Sequence, residues 1–335
     1  MEDKNSEEWL KKLPLQAENI AYKPEEIILC AKCGRTNPPT RRNCFYCTAT
    51  LEISEAQSRF LKPNLRRLET WEKGFNIIFK SAAPDLQEAQ TTEIARLLKM
   101  EKEFLGKIIA SGKSLPLARA ESLREAEITQ KCLSEFGVET RLVSDEDLAF
   151  DKPARRLRRI EFYEDKLILI FFNQDEIAEI AKEDLALIVA GATFARKVSA
   201  TEKYNKKGDN KILETSEIAS DETLIDIYSR RDSIGYRILA TGFDFSGLET
   251  EKKMLAKDNI KTLAENLRRF APNAKFVDDY LQNRELLADV WEVEQKNDSQ
   301  GLKRESFGRF NLGTTTIVNN SSQFTKYSRL QWHLL

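Results

Sequence analysis

Cys30-Ala31-Lys32-Cys33 and Cys44-Phe45-Tyr46-Cys47 set two C-x-x-C pairs on either side of a ten-residue loop. Four thiolates at that spacing fit one tetrahedral zinc ion and leave it no open position for water. A single structural Zn2+ held by Cys30, Cys33, Cys44 and Cys47 is therefore expected. Gly34 follows the first pair directly, where a small residue lets backbone N–H groups turn toward the sulfurs. Ile27, Ile28 and Leu29 lead in, and Leu51 and Ile53 lead out, so the module covers residues 26–53. That is too short to fold on apolar burial alone, and the metal is expected to supply most of its stability.

The pattern Cys30-x2-Cys33-x3-Asn37-x6-Cys44-x2-Cys47 resembles the Ran-binding-protein class of zinc finger, and equally the short zinc ribbons of many bacterial proteins. The first class implies recognition of single-stranded RNA or ubiquitin, through an aromatic residue two places before the first cysteine. Here Ile28 stands at that place, and Gly34-Arg35 replaces the Thr-Phe of the ubiquitin binders. The charges between the outer cysteines are Lys32, Arg35, Arg41 and Arg42, with no acid among them. Arg35, Arg41, Arg42 and Tyr46 are thus candidate nucleic-acid or phosphate contacts, with Phe45 or Tyr46 as a stacking ring. The simpler reading is that the cations balance the formal charge of minus two on a zinc tetrathiolate.

The whole chain is balanced, with 53 Lys+Arg against 54 Asp+Glu in 335 residues, which argues against bulk binding to polyanions. Its length suggests two or three domains. No apolar run is long enough to cross a bilayer, and the charged start MEDKNSEEWLKKL lacks the apolar core of a signal peptide. With four of five cysteines at metal spacing, a cytoplasmic location is expected. His333 is the sole histidine, which removes the commonest general base, and there is no P-loop, G-x-G-x-x-G or G-x-S-x-G. The chain reads as no enzyme and as having no small-molecule substrate.

Residues 1–25 hold an amphipathic piece with Trp9, Leu10 and Leu13, and residues 54–73 read as a partly helical connector. A second domain, 74–148, opens with the strand Phe75–Phe79 and closes with the strand Val138–Val143. Helical patterns fill Thr92–Met100, Glu101–Ser111 and Arg119–Phe136, with Gly112 and Gly137 as stops. Cys132 falls among apolar positions and reads as a small buried hydrophobe. The run SLPLAR…EAEITQKCLSEFGVETRLV is similar to the last strand-helix-strand of the ribosomal stalk protein's C-terminal domain and of the N-end-rule protease adaptor. That resemblance implies an α/β sandwich that binds proteins.

Residues 149–159 read as a charged linker, with five cations between Lys152 and Arg159 that could meet phosphates or simply stay solvated. A third, β-rich domain is expected over 160–275. Its hairpin Ile160–Phe162/Leu167–Phe172 is followed by strands at 176–180, 185–194, 224–228 and 236–240, with a polar excursion over 201–216. A helix built on Met254, Leu255, Ile260, Leu263 and Leu267 ends before Pro272. This order of elements resembles the pleckstrin-homology-like barrel, which implies peptide binding or packing; the acidic turn of the first hairpin ranks membrane lipid low. Residues 276–335 hold a helix over 278–295 and then a β-prone tail with an Asn319-Asn320-Ser321-Ser322 turn. The tail reads as a strand pair or an arm, and its Tyr327, Leu330, Trp332, Leu334 and Leu335 need covering.

The fold class expected is thus multidomain α+β: zinc finger, α/β sandwich, then a β-rich barrel with C-terminal helices. Three surface-presenting modules suggest a non-catalytic adaptor, scaffold or accessory subunit bound to protein partners in a larger complex. The alternative is a nucleic-acid- or ribosome-associated factor using the basic finger on RNA.

Overall fold

The computed structural model describes residues 22–54, 57, 61, 63–172, 176–205, 210–306 and 309–335. The amphipathic segment with Trp9, Leu10 and Leu13 lies outside the described residues. The chain is mixed α+β and divides into two compact units, Met1–Pro63 and Asn64–Leu335. The first carries the cysteine module on a two-stranded sheet, β1 (Ile28–Leu29) antiparallel to β2 (Thr36–Asn37).

Part of the 54–73 connector lies outside the described residues; its second half, 64–73, forms no helix but an irregular stretch with a turn at 70–71 that buries Leu65 and Leu68. A three-stranded antiparallel sheet follows, with β3 (Phe75–Ala82) between β4 (Pro116–Ala120) and β5 (Val138–Ser144). Helices α1 (Glu88–Leu98), α2 (Lys102–Ser111) and α3 (Leu123–Glu135) pack with it, burying Ile94, Leu98, Leu105, Ile108, Ala126 and Leu133. The helices overlap the periodic stretches, since each has one apolar stripe facing one core, but α1 starts at Glu88 and ends at Leu98 where Thr92–Met100 was expected, and Arg119 and Ala120 belong to β4 instead of the following helix. Gly112 ends α2 with φ +61°, and Ser122 caps α3 by accepting from Glu125 N.

A one-turn helix, α4 (Asp145–Leu148), leads to a large curled sheet. Among the described residues it has nine strands: β6 (Arg155–Phe162), β7 (Lys166–Phe171), β8 (Ile177–Ala181), β9 (Leu185–Asn205), β10 (Asn210–Ser229), β11 (Tyr236–Leu239), β12 (Lys275–Val277), β13 (Glu294–Ser306) and β14 (Arg309–Asn319). The order is β13-β14-β9-β10-β11-β6-β7-β8, with β12 also on β9. The pairing is not wholly antiparallel as a simple meander would be, since β11–β6 and β12–β9 run parallel. The stretch read as a linker, 149–159, contains the first five residues of β6. Three of its five cations are paired: Arg155 with Asp232, Arg156 on Phe172 and Thr241 O, and Arg159 with Glu161.

The sheet separates two cores by alternation. Ile188 on β9 and Ile225 and Ile227 on β10 face α5 (Ala256–Phe270), with its Ile260, Leu263 and Leu267. Leu187 and Val189 on β9, with Leu224 and Tyr228 on β10, face the other way. On that side they meet α6 (Tyr280–Leu287), Trp291 and α7 (Ser321–His333), and this core is continuous with the three-stranded sheet. Residues 149–159 therefore do not separate two cores. Residues 278–295 form the short α6 and then turn into β13 instead of one long helix.

Two further departures concern the tail. Asn319-Asn320-Ser321-Ser322 is the junction from β14 into α7, with Asn320 as N-cap, and residues 323–331 of that helix are all buried. Tyr327 and Leu330 are thus covered by their own chain, whereas Leu335 is exposed. Gly191 in mid-β9 is required here, because a Cβ would collide with the Phe324 ring of α7. The polar excursion is also structured where described: β9 and β10 continue through it, and β13 and β14 pair alongside to make a four-stranded ribbon. The 21 residues of β9 span about 70 Å.

Candidate metal centre

The two cysteine pairs occupy equivalent turns. In the first, Cys30 N donates to Arg35 O and Gly34 N to Cys30 O; in the second, Cys44 N donates to Ala49 O and Thr48 N to Cys44 O. Gly34 (φ +67°) and Thr48 (φ +58°) take the same left-handed conformation one residue after each pair. The equivalence is hidden in the sequence because a threonine stands where glycine is easier. The Asn43–Thr50 bridge likewise matches the β1–β2 ladder.

This doubled turn brings all four Sγ atoms within 4.8 Å of one another. Cys30 Sγ lies 3.6 Å from Cys47 Sγ, and Cys33 Sγ 3.6 Å from Cys44 Sγ. An ion with bonds of about 2.3 Å to four sulfurs needs tetrahedral edges of about 3.8 Å, so the donors fit a zinc-binding site. Separations this large exclude disulfides, whose bond is about 2.05 Å. Cys30 and Cys44 are buried; Cys33 is exposed and Cys47 half-buried.

Asn37 ties the halves together. Its buried side chain donates to Arg35 O (3.0 Å) and to Cys44 Sγ (3.5 Å), and its Oδ1 accepts from Phe45 N (2.8 Å). Burial opposes ionisation of Cys44, but the N–H groups of Cys47 and Tyr46 and the Asn37 amide bring it down to about 6. At Cys33 the Arg35 backbone favours the thiolate, yet desolvation and the neighbouring thiols of Cys47, Cys44 and Cys30 push it up to about 12. The thiols of Cys44 and Cys33 are thus driven in opposite directions, and a divalent cation bound at the cluster would displace protons from its thiols.

The candidate contact residues divide. Arg35 stacks on Tyr46 (4.6 Å to the ring centroid) and Arg41 on Phe45 (4.8 Å). The two rings meet edge to face at 5.4 Å, and both are more than half exposed. Arg42 is half-buried, and its carbonyl accepts from Leu51 N. Where the sequence offered Phe45 or Tyr46 as a stacking ring, the structure gives each of them an arginine.

Elsewhere, His333 Nε2 contacts Asp147 O at 2.7 Å, a link between α7 and α4. Among the described residues no helix is long and apolar enough to cross a membrane. Neither a family model, nor a curated protein, nor a solved structure matches this chain.

Proposed function

We propose that this protein is a non-catalytic adaptor or accessory subunit that holds other proteins in a larger assembly, with one structural Zn2+ on Cys30, Cys33, Cys44 and Cys47. The observation carrying this reading is the β13-β14-β9-β10 ribbon. It runs on past the strand segments that enclose the cores, and residues 215–221 and 295–299 along its two outer strands are exposed. Ordering so much backbone costs about 1–2 kcal/mol per residue, and a surface that buries little repays that only through ladder hydrogen bonds and a partner. The resemblances read in the sequence, of 74–148 to stalk and protease-adaptor domains and of the element order over 160–275 to pleckstrin-homology-like barrels, would imply protein binding as well. Native mass measurement of the endogenous assembly tests it: a stoichiometric protein complex is expected, and a chain that travels alone refutes it.

A second reading rests on the finger. Two arginines stacked on two exposed rings form a cationic π-surface suited to unpaired bases. RNA binding through it would weaken steeply between low and moderate salt, whereas an apolar protein interface would change little.

A further inference from the structure

Among the described residues, the outer edge of β10 is unpaired from 210 to 222. β9 holds its inner edge throughout, and β11 takes the outer edge only at Leu224–Ile227. An edge of this kind offers a row of free N–H and C=O groups to any extended chain. Ile218, in the middle of it, is 64% exposed.

Beyond Lys211 and Glu214 the charges on this edge have one sign. Between Thr215 and Thr223 the strand carries Glu217, Asp221 and Glu222 and no cation. Glu222 accepts from Thr241 N, while Glu217 and Asp221 have no hydrogen-bond or ion-pair partner among the described residues. On the face of Glu217 and Asp221 the nearest cation in register is Arg196, opposite Ala219, which lies over the Phe194 ring at 5.7 Å; Lys197 stands opposite Ile218 on the other face. Strand alternation puts Glu217 and Asp221 on one face and Ile218 on the other.

We propose that this edge docks an extended basic segment of a partner protein, added as a further strand of the sheet. Its cations stand four residues apart, opposite Glu217 and Asp221, and an apolar residue stands opposite Ile218. A second copy is a poor occupant, since antiparallel self-pairing about Ala219 sets Glu217 against Asp221 twice, and like charges directly opposed are destabilising. Phosphate-bearing strands are repelled by the same acids. The inference rests on the adaptor reading and names the partner's chemistry.

The test uses the full chain and a dye-labelled peptide, Thr-Arg-Val-Thr-Val-Arg-Thr, which satisfies the pattern in either strand direction. Saturable anisotropy binding is expected, with new hydrogen-exchange protection confined to amides of 210–222. Glu217→Lys with Asp221→Lys should weaken it roughly tenfold, and a peptide with Glu for Arg should not bind. Because both positions are exposed, the variant should keep the wild-type melting temperature. Absence of binding up to about 1 mM, equal affinity for the double variant, or protection elsewhere overturns the proposal. A native assembly that survives the double substitution overturns this docking site and leaves the adaptor reading standing, whereas a wild-type chain that travels alone removes both.

Discussion

Trp291 Nε1 donates a 2.7 Å hydrogen bond to Oδ1 of Asn76, which is 215 residues earlier and fully buried on β3. The Asn76 amide donates in turn to Val143 O and Asp145 Oδ1, and Asp145 Oδ2 accepts from Gly74 N and Arg119. One polar chain thus fastens the three-stranded sheet to the C-terminal elements of the same unit. Trp291→Phe keeps most of the apolar contact and leaves the Asn76 oxygen without this donor. It should cost about 1–3 kcal/mol, read as a lower urea midpoint.

Asp226 and Arg237 face each other across β10 and β11, in a bidentate pair at 2.7 and 2.8 Å beneath α7. Burial opposes the Arg237 charge, but the field of Asp226 and its hydrogen bonds hold the pKa above the usual value. Asp226→Ala strands a buried guanidinium and should destabilise the protein by about 3–5 kcal/mol. Replacing both residues with apolar ones should cost less than the single change, which a double-mutant cycle in urea would measure.

Lys326 is buried on α7 with its ammonium over the Phe150 ring at 4.2 Å. Desolvation first and Arg119 second lower its pKa to about 8, against the pull of Asp145 and Glu294. The unfolded chain, with a lysine pKa of about 10.4, binds more protons between about pH 8 and 10.4, so stability rises with pH through that window. Below pH 8 the folded state carries the whole cost of the buried charge. Comparing urea midpoints of wild type and Lys326→Met at pH 7.5 and 10 should show an alkaline gain of up to about 3 kcal/mol in the wild type only.

Removal of metal should act locally. Cys44→Ser, or a strong chelator, should release about one zinc and unfold the module around residues 26–53, while Asn64–Leu335 keeps its melting transition. Metal analysis and calorimetry read the two parts separately. Loss of the second transition would show that the cysteine module stabilises more than itself.

The cluster of four cysteines was legible from spacing, since a tetrathiolate needs a fixed set of donors on two short turns, whereas Asn37 entered only through the zinc-finger resemblance. The helices α1 to α3 and strands β3 and β5 were legible because each shows one apolar face to one core. α7 was not. Buried on every side, it has no solvent face to create a period, and its polar groups find tertiary partners: Gln323 with Tyr280 and Trp291 O, Ser328 with Tyr228, and Arg329 with the carbonyls of Leu148 and Lys152. The ribbon failed the same test from the other side, being polar on both faces.

What the sequence determined by itself, then, is whatever depends on residues near in the chain: the cysteine donors, the caps, and the amphipathic stripes. Tertiary structure decided where the tail goes, that β6 joins the sheet in place of a linker, and that a core is shared across 64–335. Those choices rest on partners up to 215 residues apart. Burial of a polar helix or extension of a polar strand is favourable only when such distant groups supply its hydrogen bonds.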